Sequence, residues 1–101
     1  MLFRSGLYEV LLRLHSTPII ELNHAVAVSM VDGPEPALQL VDSIDKRGEL
    51  NGYHMLPAVR GELLRRIGRR EEAVAAYRLA LSGAELEPER RFLAARLAEL
   101  A

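Results

Sequence analysis

The sequence predicts an all-α chain of about six helices packed as antiparallel pairs. Three observations point there. Leu and Ala, both strong helix formers, supply 31 of the 101 residues. Apolar residues recur at three- and four-residue spacings, and no stretch keeps the two-residue alternation of a half-buried strand. Ser16-Thr17-Pro18 and Asp32-Gly33-Pro34 carry the punctuation of helix starts and stops.

The elements follow in order. Leu7, Leu11 and Leu14, with Tyr8 and Leu12, give a helical stripe over residues 6–15. Thr17 is a natural N-cap and Pro18 a natural first helical residue. From Ile19 to Val31 only Glu21, Asn23, His24 and Ser29 are polar, so this second helix is expected to be buried on most sides. Gly33 ends it and Pro34 opens the third, from about Glu35 to Asp45, burying Ala37, Leu38, Val41 and Ile44. Residues 46–49, Lys-Arg-Gly-Glu, read as a polar connector.

The stretch "NGYHMLPAVRGELLRRIGR", residues 51–69, reads as a long fourth helix ending at Gly68. Two starts are open. Begun near Gly52, the helix would bend at Pro57, which has no N–H for the carbonyl of Tyr53; begun near Pro57, it would not. Arg70 to Ser82 is the fifth helix, with Ala73, Val74, Tyr77, Ala80 and Leu81 on one face. Pro88 to Leu100 is the last, with Phe92, Leu93, Leu97 and Leu100 inward.

Composition narrows function by exclusion. At 101 residues the chain is one domain with a modest core. No apolar run approaches the ~20 residues of a membrane span. The start, "MLFRSGLYEV", lacks the apolar segment and cleavage site of a secretory signal. With no cysteine, thiolate chemistry and disulfides are absent. A cytoplasmic protein is expected. Residues 1–59 carry a net charge of −3 and residues 60–101 a net of +2, neither the footprint of a nucleic-acid binder. Twelve of the thirteen basic residues are arginine, which reads as coding bias before phosphate recognition.

Candidate sites are few. Tyr53-His54 is a tempting pair, though a lone histidine near a helix start is more often a cap or core residue than a catalyst. His15, His24 and His54 sit near different helices, with no partner at metal-ligand spacing, so no zinc or other metal is expected. Arg65-Arg66 and Arg69-Arg70 form a cationic run, yet Glu62 stands four residues before Arg66, offering an intrahelical pair. No glycine-rich phosphate loop and no nucleophile–base pair is evident, so neither enzyme activity nor a cofactor is expected.

Gly61, Gly68, Ala73, Tyr77 and Ala80 follow a spacing that resembles the tetratricopeptide repeat, with small residues where paired helices approach. Ala25, Ala37 and Val41 match more weakly as an earlier unit. Ala37 and Ala73 are 36 residues apart and Pro88 falls late, so these are degenerate repeats whose ends the first and last helices would cover. Three stretches go further: "LNHAVAVSMVDGPEPAL", "NGYHMLPAVRGELLRRIGRREEAVAAYRLAL" and "ERRFLAARLAEL". Together they look like the C-terminal tetratricopeptide-like extension of bacterial extracytoplasmic-function sigma factors. The resemblance runs from "LYEVLLRL" onward, with Asn51 where such tails usually have Asp and His24 where Arg is common.

The resemblance implies a single regulatory domain over residues 1–101. The promoter- and polymerase-binding sigma regions have no counterpart in this sequence, so no direct DNA binding is expected of it. The implied partners are proteins: the sigma regions of the same protein, core RNA polymerase or a signalling protein. Carried over position by position, the repeat's groove falls on Leu22, Val26, Ser29 and Met30, then Met55, Ala58, Glu62, Arg65 and Arg66. An apolar floor with an arginine edge suits a peptide or amphipathic helix. If the end helices fill the groove, these apolar residues are core instead. Two other classes compete: a small-molecule sensor with Tyr53 and His54 lining a pocket, and a free-standing scaffold protein.

Overall fold

A computed structural model of the chain describes residues 17–101. Five helices occupy them: α1 (Pro18–Val31), α2 (Pro34–Arg47), α3 (Met55–Ile67), α4 (Arg70–Gly83) and α5 (Glu87–Leu100). No strand occurs among the described residues, and the chain there is all-α. The helix expected over residues 6–15 lies outside them.

Local chemistry places the ends. Thr17 Oγ1 accepts the N–H of Ile20 at 3.2 Å, and Pro18 begins α1, where a missing N–H costs nothing. Gly33, at φ +94°, turns the chain between α1 and α2, and Pro34 starts the latter. Gly68, at φ +93°, closes α3 by donating to the carbonyls of Leu64 and Arg65, both at 3.1 Å. The start of α3 is also decided. It begins at Met55, so Pro57 falls in the first turn, where its absent N–H has no helical partner to lose. The Tyr53 carbonyl is taken by Leu56 N–H at 3.2 Å, and Gly52 stands outside the helix at φ +85°.

Short connections make neighbours of successive helices, and each packs against the next along the chain. Leu38, Val41, Ile44, Leu56, Leu63, Leu64, Tyr77 and Leu93 fill the interior. Fully buried alanines, Ala25, Ala37, Ala73 and Ala80, let the backbones approach. The closest approach is glycine's: a Cβ at Gly61 would lie 2.9 Å from Cδ1 of Tyr77. All four core positions expected of α2 are buried.

Two expectations are corrected. Only Leu22, Ala25 and Ser29 of α1 are buried; Ile19, Ile20, Met30 and Val31 are exposed, because the described helices pack on one side of it. Phe92 is 45% exposed rather than inward. On α5 it is Leu93 that enters the core, with Leu97 and Leu100 half-buried beside it.

Candidate functional site

Polar contacts set the odd-numbered helices side by side. His54 Nε2, just before α3, meets Glu89 Oε2 near the start of α5. Two turns along, Arg96 of α5 donates to Glu62 of α3, Nε to Oε2 at 2.9 Å and Nη2 to Oε1 at 3.2 Å. On the other flank, Arg66 Nη2 donates to the Ser29 carbonyl of α1 at 3.3 Å. Between α3 and α5 this leaves a furrow of about 290 Å³, lined by His54, Met55, Ala58, Pro88, Glu89, Phe92 and Leu93. Its walls are almost wholly apolar. Met55 and Phe92 stay exposed there, and the Arg96 guanidinium stands 5.0 Å from the Phe92 ring centre.

Glu62 ties three helices together. It accepts from the buried Tyr77 hydroxyl of α4, from Arg96 of α5 and from Arg65 Nε of its own helix at 3.3 Å. Burial pushes the Glu62 carboxyl up, but hydrogen bonds from Arg96, Tyr77 and Arg65 outweigh it, so its pKa lies below the ordinary value. Burial, and then the Glu62 carboxylate, push the Tyr77 phenol up to about 12. An ionised acceptor and a protonated donor are the states that hold this bond together. They make a structural tie.

The sequence-predicted groove residues separate into three groups. Met55 and Ala58 line the furrow, and Met30 is exposed on α1. Glu62, Arg65 and Arg66 lie half-buried or exposed at the same end of α3, committed to the contacts just given. Leu22 and Ser29 are buried and Val26 is half-buried, so the α1 part of the groove is largely core. Ser29 is accommodated there because its hydroxyl donates to the Val26 carbonyl at 2.6 Å. The pair offered by the spacing of Glu62 and Arg66 is not the one made, since Arg65 and Arg96 already occupy the carboxylate.

Tyr53 and His54 do share a cavity with Pro57. It holds about 140 Å³ and takes its remaining walls from Asp45 of α2, the α2–α3 connection, Leu56 of α3, and Leu79, Ser82 and Gly83 of α4. The Tyr53 and His54 rings are tilted by 60° at 5.8 Å. Gly83 permits the approach: a Cβ there would stand 3.3 Å from that of His54.

Sequence reasoning missed the α5 half of the furrow, Pro88, Glu89 and Phe92. Their three- and four-residue spacing was the available signal, but Phe92 reads equally well as core. It also missed what the arginines do. Arg66, Arg90 and Arg70 donate to carbonyls at or near the C-termini of α1, α4 and α5 respectively. There, unsatisfied carbonyls and the helix dipole favour a cation. Among the described residues no cluster of three or more His, Asp or Glu is arranged to hold a metal ion. No helix among them is long and apolar enough to cross a membrane.

No family model and no solved structure matches the chain. Over 95 residues, 94% of its length, it is 40% identical to an uncharacterized protein of Rhizobium meliloti (strain 1021). That match takes up 22% of the relative, so the chain spans about a fifth of the length of the protein it resembles.

Proposed function

We propose that this chain is the C-terminal regulatory domain of an extracytoplasmic-function sigma factor, acting in transcription initiation through contacts with other proteins. The partners are the sigma regions of the same protein, core polymerase or a signalling protein, and the place of action is the cytoplasm. The observation that carries the contact surface is the open apolar furrow between α3 and α5. Met55 and Phe92 are large side chains left exposed side by side, and such anchors dominate protein interfaces. The motif resemblance supplies the identity of the partners. The match to a small part of a much longer relative fits a domain carried on a larger protein.

The same proposal takes α1–α2 and α3–α4 as two degenerate tetratricopeptide-like units, with α5 covering one end. Buried Ala25, Ala37, Gly61, Ala73 and Ala80 at the helix contacts support it. The test is a binding titration of the labelled chain against the sigma regions, with and without core polymerase. Phe92→Asp and Met55→Asp, at two exposed furrow positions, are each expected to weaken binding by about fivefold or more with helix content intact. Unchanged affinity for both would remove the furrow as the contact surface.

A second reading rests on the Tyr53–His54–Pro57 cavity, which has room for a small ligand. A metabolite that binds there raises the melting temperature, because it stabilises only the folded state. Loss of that rise in Tyr53→Ala would assign the sensor role to this cavity; its persistence would place the ligand elsewhere.

A further inference from the structure

The cavity beside Tyr53 has a one-sided chemistry. Asp45, Asn51, Tyr53, His54 and Ser82 supply its polar groups, and among the described residues no lysine or arginine lines it. Asp45 has no countercharge there, since it enters no ion pair among the described residues. Lys46 and Arg47, next in the chain, line a separate groove on α2, and Arg47 is paired with Glu21 and Glu49. His54, the other group able to carry a positive charge, already meets the Glu89 carboxylate.

An anion finds no cradle in the same wall. The N–H groups of Leu56 and Ala58, at the start of α3, are given to the carbonyls of Tyr53 and His54, both at 3.2 Å. Pro57, between them, has none. A cation finds both a carboxylate and the ring of Tyr53, whose face attracts positive charge. At the edge of an apolar cavity that attraction is screened less than in open water.

The rest of the wall sets the body of the ligand. Leu50, Leu56, Pro57 and Leu79 are apolar, and Leu79 is 63% exposed, so covering it is favourable. A volume of about 140 Å³ equals that of about five water molecules at ~30 Å³ each. We infer that this cavity takes a primary ammonium on a short alkyl chain. The ammonium faces Asp45 and Tyr53, and the chain lies on the leucines and Pro57. The inference rests on the cavity being a ligand site and adds the ligand's class. The same chemistry has two sources, a free small amine and the lysine side chain of another protein.

The test uses three probes of one shape: n-butylammonium chloride, n-butanol and sodium butyrate, titrated into the isotope-labelled chain at constant ionic strength. Saturable amide shifts at Gly52, Tyr53 and Gly83 are expected for butylammonium, with a dissociation constant on the order of millimolar. Butanol should bind about fivefold more weakly, and butyrate more weakly still. Asp45→Asn should bring butylammonium to within about twofold of butanol and leave butanol unchanged. Acetyl-Gly-Lys-Gly-amide separates the sources: shifts at the same amides assign a protein lysine, and their absence beside butylammonium binding assigns a free amine. Butanol or butyrate binding as tightly as butylammonium, or a preference that survives Asp45→Asn, would overturn the cation and leave the cavity as a ligand site. Unmoved amides at all three positions with every probe would overturn both.

Discussion

Replacing Gly61 by alanine sets two effects of opposite sign against each other. In the middle of a helix, alanine is favoured over glycine by about 1 kcal/mol. At this position the added Cβ would lie 2.9, 3.0 and 3.2 Å from Cδ1, Cε1 and Cγ of Tyr77. The ring has little freedom to retreat: Tyr77 is fully buried, and swinging it aside would break the hydroxyl's bond to Glu62. Overpacking of this kind costs about 1–3 kcal/mol. The net effect is a loss of roughly 1 kcal/mol, a melting temperature lower by about 4–8 °C for a domain of this size. Thermal melts followed by circular dichroism measure it. In a Tyr77→Leu background the ring is gone and the same substitution should become neutral or stabilising, which isolates the contact. A Gly61→Ala protein that melts several degrees higher than the parent would mean that α3 and α4 do not approach at this point.

Three further outcomes are expected. Ala73→Leu enlarges a fully buried position on α4 and should lower stability by about 1–3 kcal/mol, read as a shift in the urea midpoint at unchanged slope. Because the Tyr77 phenol is raised to about 12, an ultraviolet pH titration should show a tyrosine that ionises well after an ordinary one. The stability held by the neutral phenol is complete below its unfolded pKa of about 10 and is lost as pH rises toward about 12. Glu62 has the opposite sign: its folded pKa is lowered, so its contribution is present above the unfolded value and is lost as pH falls through the folded one. Glu62→Gln should therefore be less stable than the parent at neutral pH, by an amount on the order of 1 kcal/mol after solvent screening at this half-exposed site. Urea denaturation down the acid range should show that gap closing.

Much of the fold was legible because its signals are local. Thr17-Pro18 and Gly33-Pro34 mark helix ends through their own backbone preferences, whatever lies beside them. Ala37, Leu38, Val41 and Ile44 show the face of α2 through spacing alone. Phe92 and Leu93 could not be sorted that way. They are adjacent on α5, and which one enters the core depends on where α4 lies. The arginines were opaque for the same reason: Arg66 reaches a carbonyl 37 residues away and Arg70 one 30 residues away. Glu62 was placed in the candidate groove, but its bonds to Tyr77 and Arg96 join residues that only the packed helices bring together. For the cavity, spacing was enough, since Tyr53, His54 and Pro57 are near neighbours in the chain.

The central claim is that the furrow between α3 and α5 receives part of the transcription machinery. Amide NMR of the isotope-labelled chain, with the sigma regions of the same protein added stepwise and then core polymerase, tests it most directly. Saturable shifts are expected at Met55, Ala58 and Phe92, with Val41 and Ile44 in the α2 core unmoved. A spectrum unchanged by both additions, or shifts confined to residues remote from the furrow, would contradict it.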